Sequence, residues 1–460
     1  MSFKDLPINE LINVDFNCSC GHHHEARIDH IAIGKGAVNQ ITDFLEDQKL
    51  HDGSKLQKGD RLYLIADVNT WEVAGKKVAN LIEKAGYPVT THIFPYKSMH
   101  AEQKYADEIA ANMPKDTKMI IAVGSGTIND LSRFVAFNHD MPYYIVGTAP
   151  SMDGYTSNVS PLVQNNIKIT HSAECASAVI GDTDILATAP DIMIAAGLGD
   201  IMGKYLAIND WKLSHMINDE YYCPEVGDLV LYSVQKCVDS VPGLAKRESE
   251  SLQYLMESLV LIGIAMSFIG FSRPASASEH HISHFLEMKS IQKGEYGELH
   301  GTNVGMATGL VGEMYGLLLN KKFDYDRARA HAKAFDYDAW EKEIHRTFGP
   351  GAGEVIKLYA TARQNDPDKV LARLDTIEKN EDAMRAQIAI AVEQTKKTPQ
   401  LLKQLGGLTD PKDFGFDKAE FSDILHYAKD LRDRYAALQI FYDLDELDDL
   451  IKTVTDKYFG

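Results

Sequence analysis

An apolar run, a turn of small residues and the start of a helix follow one another in Lys118-Met-Ile-Ile-Ala-Val-Gly-Ser-Gly-Thr-Ile-Asn-Asp130. The first six residues have the length and apolar character of a buried strand. The small residues that follow allow a tight turn at which backbone amides and a helix N-terminus can approach a pyrophosphate. Tight turns also use such residues for backbone geometry alone. The stretch therefore predicts a strand, a turn and a helix, and it leaves a nucleotide site as one of two interpretations.

Strand-like and helical patterns alternate on both sides of this turn. Strands are predicted at 61–67, 88–94, 118–123 and 143–146, and helices at 72–84, 101–112 and 127–137. Such alternation implies a parallel sheet wrapped by helices. After residue 186 helical periodicity dominates, at 191–210, 227–238, 249–271, 276–289 and 303–319. We predict an α/β Rossmann-like nucleotide-binding domain over residues 1–187 and an all-α metal- and substrate-binding domain over residues 188–460.

Composition narrows the class of protein. The 460 residues suffice for two or more cores, and 45% hydrophobic with 25% charged residues is ordinary for a soluble protein. A net charge of -19 disfavours nonspecific attraction to nucleic acid or anionic membrane. The start, Met-Ser-Phe-Lys-Asp-Leu-Pro, lacks the apolar core of a signal peptide, and no uninterrupted apolar run approaches the length of a membrane span. We predict a cytoplasmic protein that binds neither nucleic acid nor membrane.

The five cysteines are too few and too scattered for a disulfide framework. One cluster is Cys18-Ser-Cys-Gly-His-His-His24, which has the local pattern of half a zinc site. No second Cys/His pair at zinc-ribbon spacing follows it. The sequence therefore favours a turn that carries thiols and exposed imidazoles, with zinc binding as the minority alternative. The acidic run 443–450 is interpreted as the solvated face of a terminal helix.

Imidazoles are grouped in Arg273-Pro-Ala-Ser-Ala-Ser-Glu-His-His-Ile-Ser-His284 and in Leu299-His-Gly301, and a carboxylate precedes them in Gly197-Leu-Gly-Asp-Ile-Met-Gly-Lys204. Nitrogen and oxygen donors of this kind suit zinc, nickel or iron. One carboxylate with two imidazoles leaves coordination positions open, which is typical of a catalytic site. The alternative is that His280 and His284, one helical turn apart, are only hydrogen-bonded neighbours.

Two further features point to the carboxyl edge of the sheet, where an open α/β fold binds its ligand. The loop Gly147-Thr-Ala-Pro-Ser-Met-Asp-Gly-Tyr-Thr-Ser-Asn158 is rich in hydroxyls and carries the carboxylate of Asp153. Asp67 ends an earlier predicted strand. It could accept hydrogen bonds from an adenosine ribose, or it could cap the helix that begins near Thr70. A surface turn is the alternative for the loop.

Four ordered motifs together resemble the sn-glycerol-1-phosphate dehydrogenase family, particularly its bacterial form. They are Gly124-Ser-Gly-Thr-Ile-Asn-Asp130, Thr148-Ala-Pro-Ser-Met-Asp-Gly154, Gly199-Asp-Ile-Met-Gly-Lys204 and the 273–284 segment. The resemblance covers roughly residues 31–318, with an echo at 431–435. The family is grouped with glycerol dehydrogenases, iron-containing alcohol dehydrogenases and dehydroquinate synthases. One departure is Ala277, where relatives usually have Gly.

The resemblance implies that Asp200, His280 and His300 hold the metal, while His284 and Asp153 contact substrate. It also implies a homo-oligomer. The residues that it assigns to the nicotinamide dinucleotide are Asp67, Gly124, Ser125, Gly126, Thr127, Ile128, Thr148, Ala149, Pro150, Ser151 and Ser157.

The implied reaction is reversible, metal-assisted hydride transfer between NAD(P)H and dihydroxyacetone phosphate, with sn-glycerol 1-phosphate as the product. The alternatives are a dehydrogenase for glycerol or another polyol, a dehydroquinate-synthase-like lyase, and a non-enzymatic scaffold that binds metal and nucleotide. For the phosphate group, Lys204 and Arg273 are the candidates, although Lys204 could be solvated and Arg273 an ion-pair partner. Asp67 would repel a 2′-phosphate if it faces the ribose, which favours NADH.

Overall fold

The computed structural model describes residues 6–460 except 13, 27, 165 and 166. The first five residues, on which part of the signal-peptide prediction rests, lie outside the described residues. Two compact units are present: residues 1–201 with 235–270, and residues 202–234 with 271–460. These units differ from the two predicted ranges. The first unit includes the sheet and also residues 188–201 and 235–270, which were predicted to belong to the helical domain. The predicted domain boundary at residue 187 stays a prediction.

Among the described residues, the strands all lie in the first unit. They are β1 Asp15–Asn17, β2 His23–Glu25, β3 His30–Gly34, β4 Arg61–Asp67, β5 Val89–Phe94, β6 Thr117–Gly124, β7 Tyr143–Gly147, β8 Val159–Gln164, β9 Ile167–Ser172 and β10 Ala178–Asp182. The four predicted strands are confirmed to within a residue at each end. The short strands β3 and β10 and the β8–β9 hairpin were not predicted.

Six of these strands form a parallel sheet in the order β3-β10-β7-β6-β4-β5. The chain passes from β4 to β5 on one side and then crosses to β6 on the other side. The order of strands therefore switches between β4 and β6, and the carboxyl ends of such a pair flank the crevice in which open α/β sheets bind ligands. Asp67 ends β4 and Gly124 ends β6. The α/β fold predicted for this part is confirmed.

The helices of the first unit, and those that pass from one unit into the other, are α1 Ile8–Leu11, α2 Ile41–Asp47, α3 Val68–Thr70, α4 Lys76–Lys84, α5 Gln103–Asn112, α6 Gly126–Asn138, α7 Thr183–Leu186, α8 Asp191–Asn218, α9 Pro224–Asp239, α10 Val241–Leu244 and α11 Ser249–Ile269. A π-helical turn, Trp71–Gly75, joins α3 to α4. Helix α11 is long and apolar enough to cross a membrane, but 67% of its most apolar window is buried. Burial inside the protein thus accounts for its composition.

The second unit is helical, as predicted. Its further helices are α12 Ser278–Gln292, α13 His300–Leu319, α14 Tyr325–Lys333, α15 Tyr337–Phe348, α16 Ala352–Ala362, α17 Pro367–Lys379, α18 Glu381–Thr395, α19 Thr398–Gln404, α20 Lys418–Tyr427, α21 Ala437–Asp443 and α22 Leu447–Phe459. Helix α12 packs along α13, and the apolar faces of both contribute to one core with Phe285, Val311 and Phe441.

The interpretation of the acidic run 443–450 as a solvated face is wrong for two of its residues. Asp443 is fully buried at the end of α21 and forms an ion pair with Arg373 at 2.6 Å. Glu446 is also buried, and it accepts a hydrogen bond from Arg327 at 2.8 Å. Both carboxylates are retained inside the unit because arginines from distant helices compensate their charge.

Candidate active site

The first candidate region lies at the carboxyl ends of β6 and β7. Gly124 and Gly147 are register partners, and the amide of Thr148 donates to the carbonyl of Gly124 over 2.9 Å. Helix α6 begins at Gly126, directly after Ser125. The first N–H groups of a helix have no partner within it and carry its positive end. This edge therefore has the local structure that a pyrophosphate requires.

Two glycines in this turn have different roles. A Cβ on Gly124 would lie 2.5 Å from the Cβ of Ile128, so the packing of the turn requires glycine there. A Cβ on Gly126 would meet Met152 at 3.5 Å, which is ordinary contact with a flexible side chain. The packing of the turn thus explains why residue 124 is glycine. The space beside Gly126 is available for a ligand.

Asp67 has the capping role that the sequence left open. Its Oδ1 accepts hydrogen bonds from the amides of Asn69 at 2.7 Å and Thr70 at 2.9 Å. The Thr70 hydroxyl receives the Asp67 amide at 3.0 Å, which completes a capping box. The position at the end of β4 suits ribose recognition as well, and that role stays a prediction.

Packing against neighbouring residues holds the second loop of small residues, 148–151, in place. Thr148 and Ser151 are buried, and the Tyr155 hydroxyl donates to the carbonyl of Ala149. Helix α8 approaches the loop so closely that a Cβ on Gly197 would lie 1.8 Å from the carbonyl oxygen of Pro150. The loop therefore rests directly on backbone, and its position depends on glycine in the helix.

Ser157 closes the far end of this loop. Its hydroxyl accepts a hydrogen bond from the amide of Val159 at 3.1 Å and lies 3.2 Å from the carbonyl of the same residue. These contacts begin strand β8. They give Ser157 a structural role, and the predicted contact with the dinucleotide stays a prediction.

Asp200 is brought to the same loop. It is fully buried in α8, and its Oδ2 accepts the backbone amide of Asp153 at 2.9 Å. The hydrogen bond fixes the orientation of the carboxylate. Two residues that the sequence assigned to metal and to substrate are therefore in direct contact within the first unit.

Three imidazoles converge in the second unit, at the start of α12 and of α13. The ring centroids of His280 and His300 are 5.2 Å apart, those of His284 and His300 are 5.4 Å apart, and those of His280 and His284 are 6.0 Å apart. His280 and His284 are four residues apart and therefore share one face of α12. The structure thus brings together the three imidazoles that the sequence grouped.

Carboxylates orient two of these rings. The Nδ1 of His280 lies 2.7 Å from Oε1 of Glu279, and the Nδ1 of His300 lies 2.7 Å from Oε1 of Glu287. In each ring, Nε2 is therefore the nitrogen directed away from the carboxylate. A histidine whose one nitrogen is held by a carboxylate while the other faces a cation is the usual arrangement in metal sites.

The electrostatics favour a neutral ring at His280. Burial lowers the pKa of His280 well below its usual range, and the positive charges of Lys204, His300 and His284 lower it further. Burial raises the pKa of Glu279 to about 8, and the carboxylate of Asp210 adds to the effect. A neutral imidazole is the form that binds a metal.

The two candidates for phosphate binding differ. Lys204 is fully buried in the part of α8 that belongs to the second unit, so the alternative of a solvated lysine is wrong. Arg273 is buried and donates through Nε to Glu220 over 2.6 Å, as the ion-pair alternative predicted. Burial and the charges of Arg273 and Arg432 lower the pKa of Arg434 to about 10.

Glu279 and Glu287 are the site residues that the sequence analysis missed. Glu279 directly precedes His280, and Glu287 follows His284 by three residues, which places it on the same helical face. A carboxylate at such spacing from a predicted ligand is a signal that could have identified both. The hydroxyl of Ser283, 3.3 Å from Nδ1 of His300, belongs to the same network.

Comparison with known proteins identifies the family of the chain. Residues 32–190 match the family model for iron-containing alcohol dehydrogenase. The glycerol-1-phosphate dehydrogenase [NAD(P)+] of Halalkalibacterium halodurans is 30% identical over 92% of this chain and 94% of its own length. The chain belongs to the glycerol-1-phosphate dehydrogenase family. The Methanosarcina barkeri enzyme of the same name is 33% identical over 62% of this chain and 76% of its own length.

Solved structures of more distant proteins share the fold of this glycerol-1-phosphate dehydrogenase family member. Glycerol dehydrogenase from Schizosaccharomyces pombe aligns with a TM-score of 0.55 at 16% identity, over 94% of this chain and 91% of that chain. NADH-dependent butanol dehydrogenase from Thermotoga maritima aligns with a TM-score of 0.58 at 13% identity, over 92% and 96%. At these identities the likeness concerns the fold. The chain is thus an NAD(P)-linked oxidoreductase by family, built on the fold of its superfamily.

Proposed function

We propose that this protein is a metal-dependent sn-glycerol-1-phosphate dehydrogenase that transfers hydride between NAD(P)H and dihydroxyacetone phosphate. The observation that carries the proposal is the set of carboxylate-anchored imidazoles, His280 and His300, in a chain that belongs to this family. Two rings oriented by carboxylates beside a third histidine are the arrangement expected of a metal site.

The metal ligands in this proposal are Asp200, His280 and His300. Their fit rests on the donors themselves: a buried carboxylate oriented by an amide, and two rings whose Nδ1 atoms are engaged. One oxygen and two nitrogens suit zinc, nickel or iron, and they leave a position for substrate. A bound divalent cation would polarise the ketone oxygen and stabilise the negative charge that hydride transfer creates there.

A competing donor set exists within the second unit. One donor atom from each of His284, Glu287 and His300 lies within 4.8 Å of the others. Glu287 already binds Nδ1 of His300, so in our proposal it orients the ring and does not bind metal. His284 is then left to face the substrate.

The dinucleotide is proposed to bind across the switch point between β4 and β6. The amides of Gly126, Thr127 and Ile128 would face the pyrophosphate at the positive end of α6. Gly124 and Ser125 shape that turn, and the 148–151 loop with Ser157 would line the nicotinamide end. Asp67 at the end of β4 would face the ribose, which favours NADH over NADPH.

The chain's own residues would orient and protonate the substrate. His284 is proposed to bind a substrate hydroxyl and to supply the proton that the reduced oxygen takes up. Asp153 would bind a second hydroxyl. Lys204 would bind the phosphate, because it is buried and an anionic ligand stabilises a buried ammonium.

Steady-state assays test this assignment. Metal-loaded protein should prefer dihydroxyacetone phosphate to dihydroxyacetone by on the order of a hundredfold, since each charged hydrogen bond to phosphate contributes about 1.5–3 kcal/mol. The product should be sn-glycerol 1-phosphate without its enantiomer. Equal efficiency on both ketones would favour a polyol dehydrogenase instead.

Metal analysis tests the ligands separately. Chelation should abolish activity, and a divalent cation should restore it. Replacement of His280 or His300 by Ala should remove the ion, whereas His284→Ala should keep the ion and lose turnover. Loss of metal in His284→Ala with retention in His280→Ala would favour the competing donor set.

Location and assembly complete the proposal. The family resemblance supports a homo-oligomer, and the net charge of -19 supports a cytoplasmic protein without affinity for nucleic acid or anionic membrane. Light scattering on the purified protein measures the oligomeric state, and fractionation of cells measures the location.

A further inference from the structure

The N-terminal hairpin of the first unit gathers two thiols and an imidazole. Strands β1 and β2 pair antiparallel, with Phe16 opposite His24, and the turn between them carries Cys18 and Cys20. The expectation of an exposed turn is wrong for His24, which is buried. One donor atom from each of Cys18, Cys20 and His24 lies within 4.8 Å of the others.

The turn is closed by its own backbone. The amide of Cys18 donates to the carbonyl of His22 at 2.9 Å, and the amide of Gly21 donates to the carbonyl of Cys18 at 3.1 Å. Gly21 has a φ of +86°, a conformation that other residues rarely adopt. The spacing of the two thiols is therefore held by the turn, and a cation would find the ligands already assembled.

His24 is oriented as a metal-bound histidine is. Its Nδ1 lies 2.6 Å from the carbonyl oxygen of Phe268, and a carbonyl only accepts, so Nδ1 carries the proton. Nε2 is then the nitrogen with a lone pair, and it points to Cys20. The ring is also fixed by an edge contact with Phe16 at 5.4 Å between centroids.

The distance between sulfur and nitrogen agrees with a shared ion. Zinc binds sulfur at about 2.3 Å and histidine nitrogen at about 2.0–2.1 Å, which places tetrahedral ligands of these two types roughly 3.5 Å apart. The Sγ of Cys20 and Nε2 of His24 are 3.3 Å apart. Two soft sulfurs and one imidazole also select zinc over the hard cations.

We propose that Cys18, Cys20 and His24 bind a zinc ion that is separate from the catalytic metal and has a structural role. A closed tetrahedral site needs a fourth ligand. The hairpin supplies three of these four ligands.

The site would fasten the hairpin to helix α11. Phe268, whose carbonyl holds His24, is the next-to-last residue of that helix. The ion would bind both thiolates of the turn to His24, which is itself held at this helix. Removal of this zinc should lower thermal stability without changing the ligand set of the catalytic metal.

Cobalt substitution tests the proposal on the unaltered chain. Full-length protein, reduced and loaded with Co(II), should show a sulfur-to-cobalt charge-transfer band and the intense visible bands of a tetrahedral site. Cys20→Ser should abolish the charge-transfer band and remove one ion per chain. His22→Gln, an exposed histidine of the same turn, is the matched control and should change neither.

Two further variants assign the ligands. Cys18→Ser should weaken the charge-transfer band, whereas Cys237→Ser, at a buried cysteine that donates to the hydroxyl of Ser258, should leave it intact. His280→Ala should remove the other ion and keep the band, so failure of the catalytic proposal is distinguishable. Cobalt-loaded wild-type protein without a thiolate band, or Cys20→Ser with wild-type metal content, would overturn the zinc site and leave only a thiol–imidazole hydrogen bond.

Discussion

The contact between Gly197 and Pro150 allows a prediction at the level of single atoms. An alanine Cβ at position 197 would lie 1.8 Å from the carbonyl oxygen of Pro150 and 2.8 Å from its carbonyl carbon. Contacts below 3.0 Å are essentially never observed for a Cβ, so helix and loop must separate by at least about 1.2 Å. The obstacle is backbone, which cannot rotate away as a side chain does.

Two opposing effects decide the stability of Gly197→Ala. Alanine favours a helix interior over glycine by about 0.8–1 kcal/mol. Overpacking of a tight contact costs about 1–3 kcal/mol or more, and here the contact is with the main chain. We expect the second effect to dominate, so the free energy of unfolding should fall by roughly 1–2 kcal/mol.

The functional effect should be larger than the structural one. The displaced carbonyl belongs to the 148–151 loop that we propose to contact the dinucleotide. A misplacement of about 1 Å near reacting groups can cost on the order of a hundredfold in rate. Gly197→Ala should therefore weaken NADH binding, and kcat/KM should fall by on the order of a hundredfold.

Denaturant unfolding and titration of NADH fluorescence measure the two effects. Gly316→Ala in α13 is the control, because its Cβ would meet only Val392 at 3.8 Å and should be neutral or stabilising. If Gly197→Ala unfolds like wild type and binds NADH equally well, the reasoning about this backbone contact is refuted.

Three further predictions concern the proposed sites. Gly126→Val should fit beside the flexible Met152 and preserve the melting temperature, yet weaken NADH binding severely because it fills the space for phosphate; an unchanged dissociation constant would remove the nucleotide from this turn. Glu287→Gln should weaken metal binding about 10–100-fold, because His300 loses the carboxylate on Nδ1; metal titration with wild-type affinity would contradict this. Lys204→Met should raise KM for dihydroxyacetone phosphate much more than KM for dihydroxyacetone, and a parallel change in both would deny Lys204 contact with the phosphate.

Much of the sheet was predictable because its central strands are continuous apolar runs. Residues 61–67 and 118–123 are examples, since strands buried on both faces need apolar residues throughout. The edge strand β3, with His30 at its start, carries a weaker pattern and was missed. The hairpin β8–β9 was missed for a related reason: Val159–Gln164 mixes serine, proline and glutamine with apolar residues.

The site was predictable to the extent that chemistry restricts its residue types. Few side chains bind a divalent metal, so Asp200, His280 and His300 could be proposed as ligands from residue type and motif. The spacing of Glu279 and Glu287 could have indicated the partners of the two histidines. Partners from distant segments depend on packing, which the sequence does not display. Arg273 is an example, because its partner Glu220 is 53 residues away along the chain.

The hydrogen bond from the Asp153 amide to Asp200 joins the proposed cofactor and substrate loop to a proposed metal ligand. An ion that binds the Asp200 carboxylate therefore affects the position of the loop. A dinucleotide that orders the loop likewise affects the position of the carboxylate. By thermodynamic linkage the two binding events must change each other's affinity by the same factor. Metal and NADH should thus behave as reciprocal effectors, and the metal dissociation constant measured with and without NADH would give their coupling free energy.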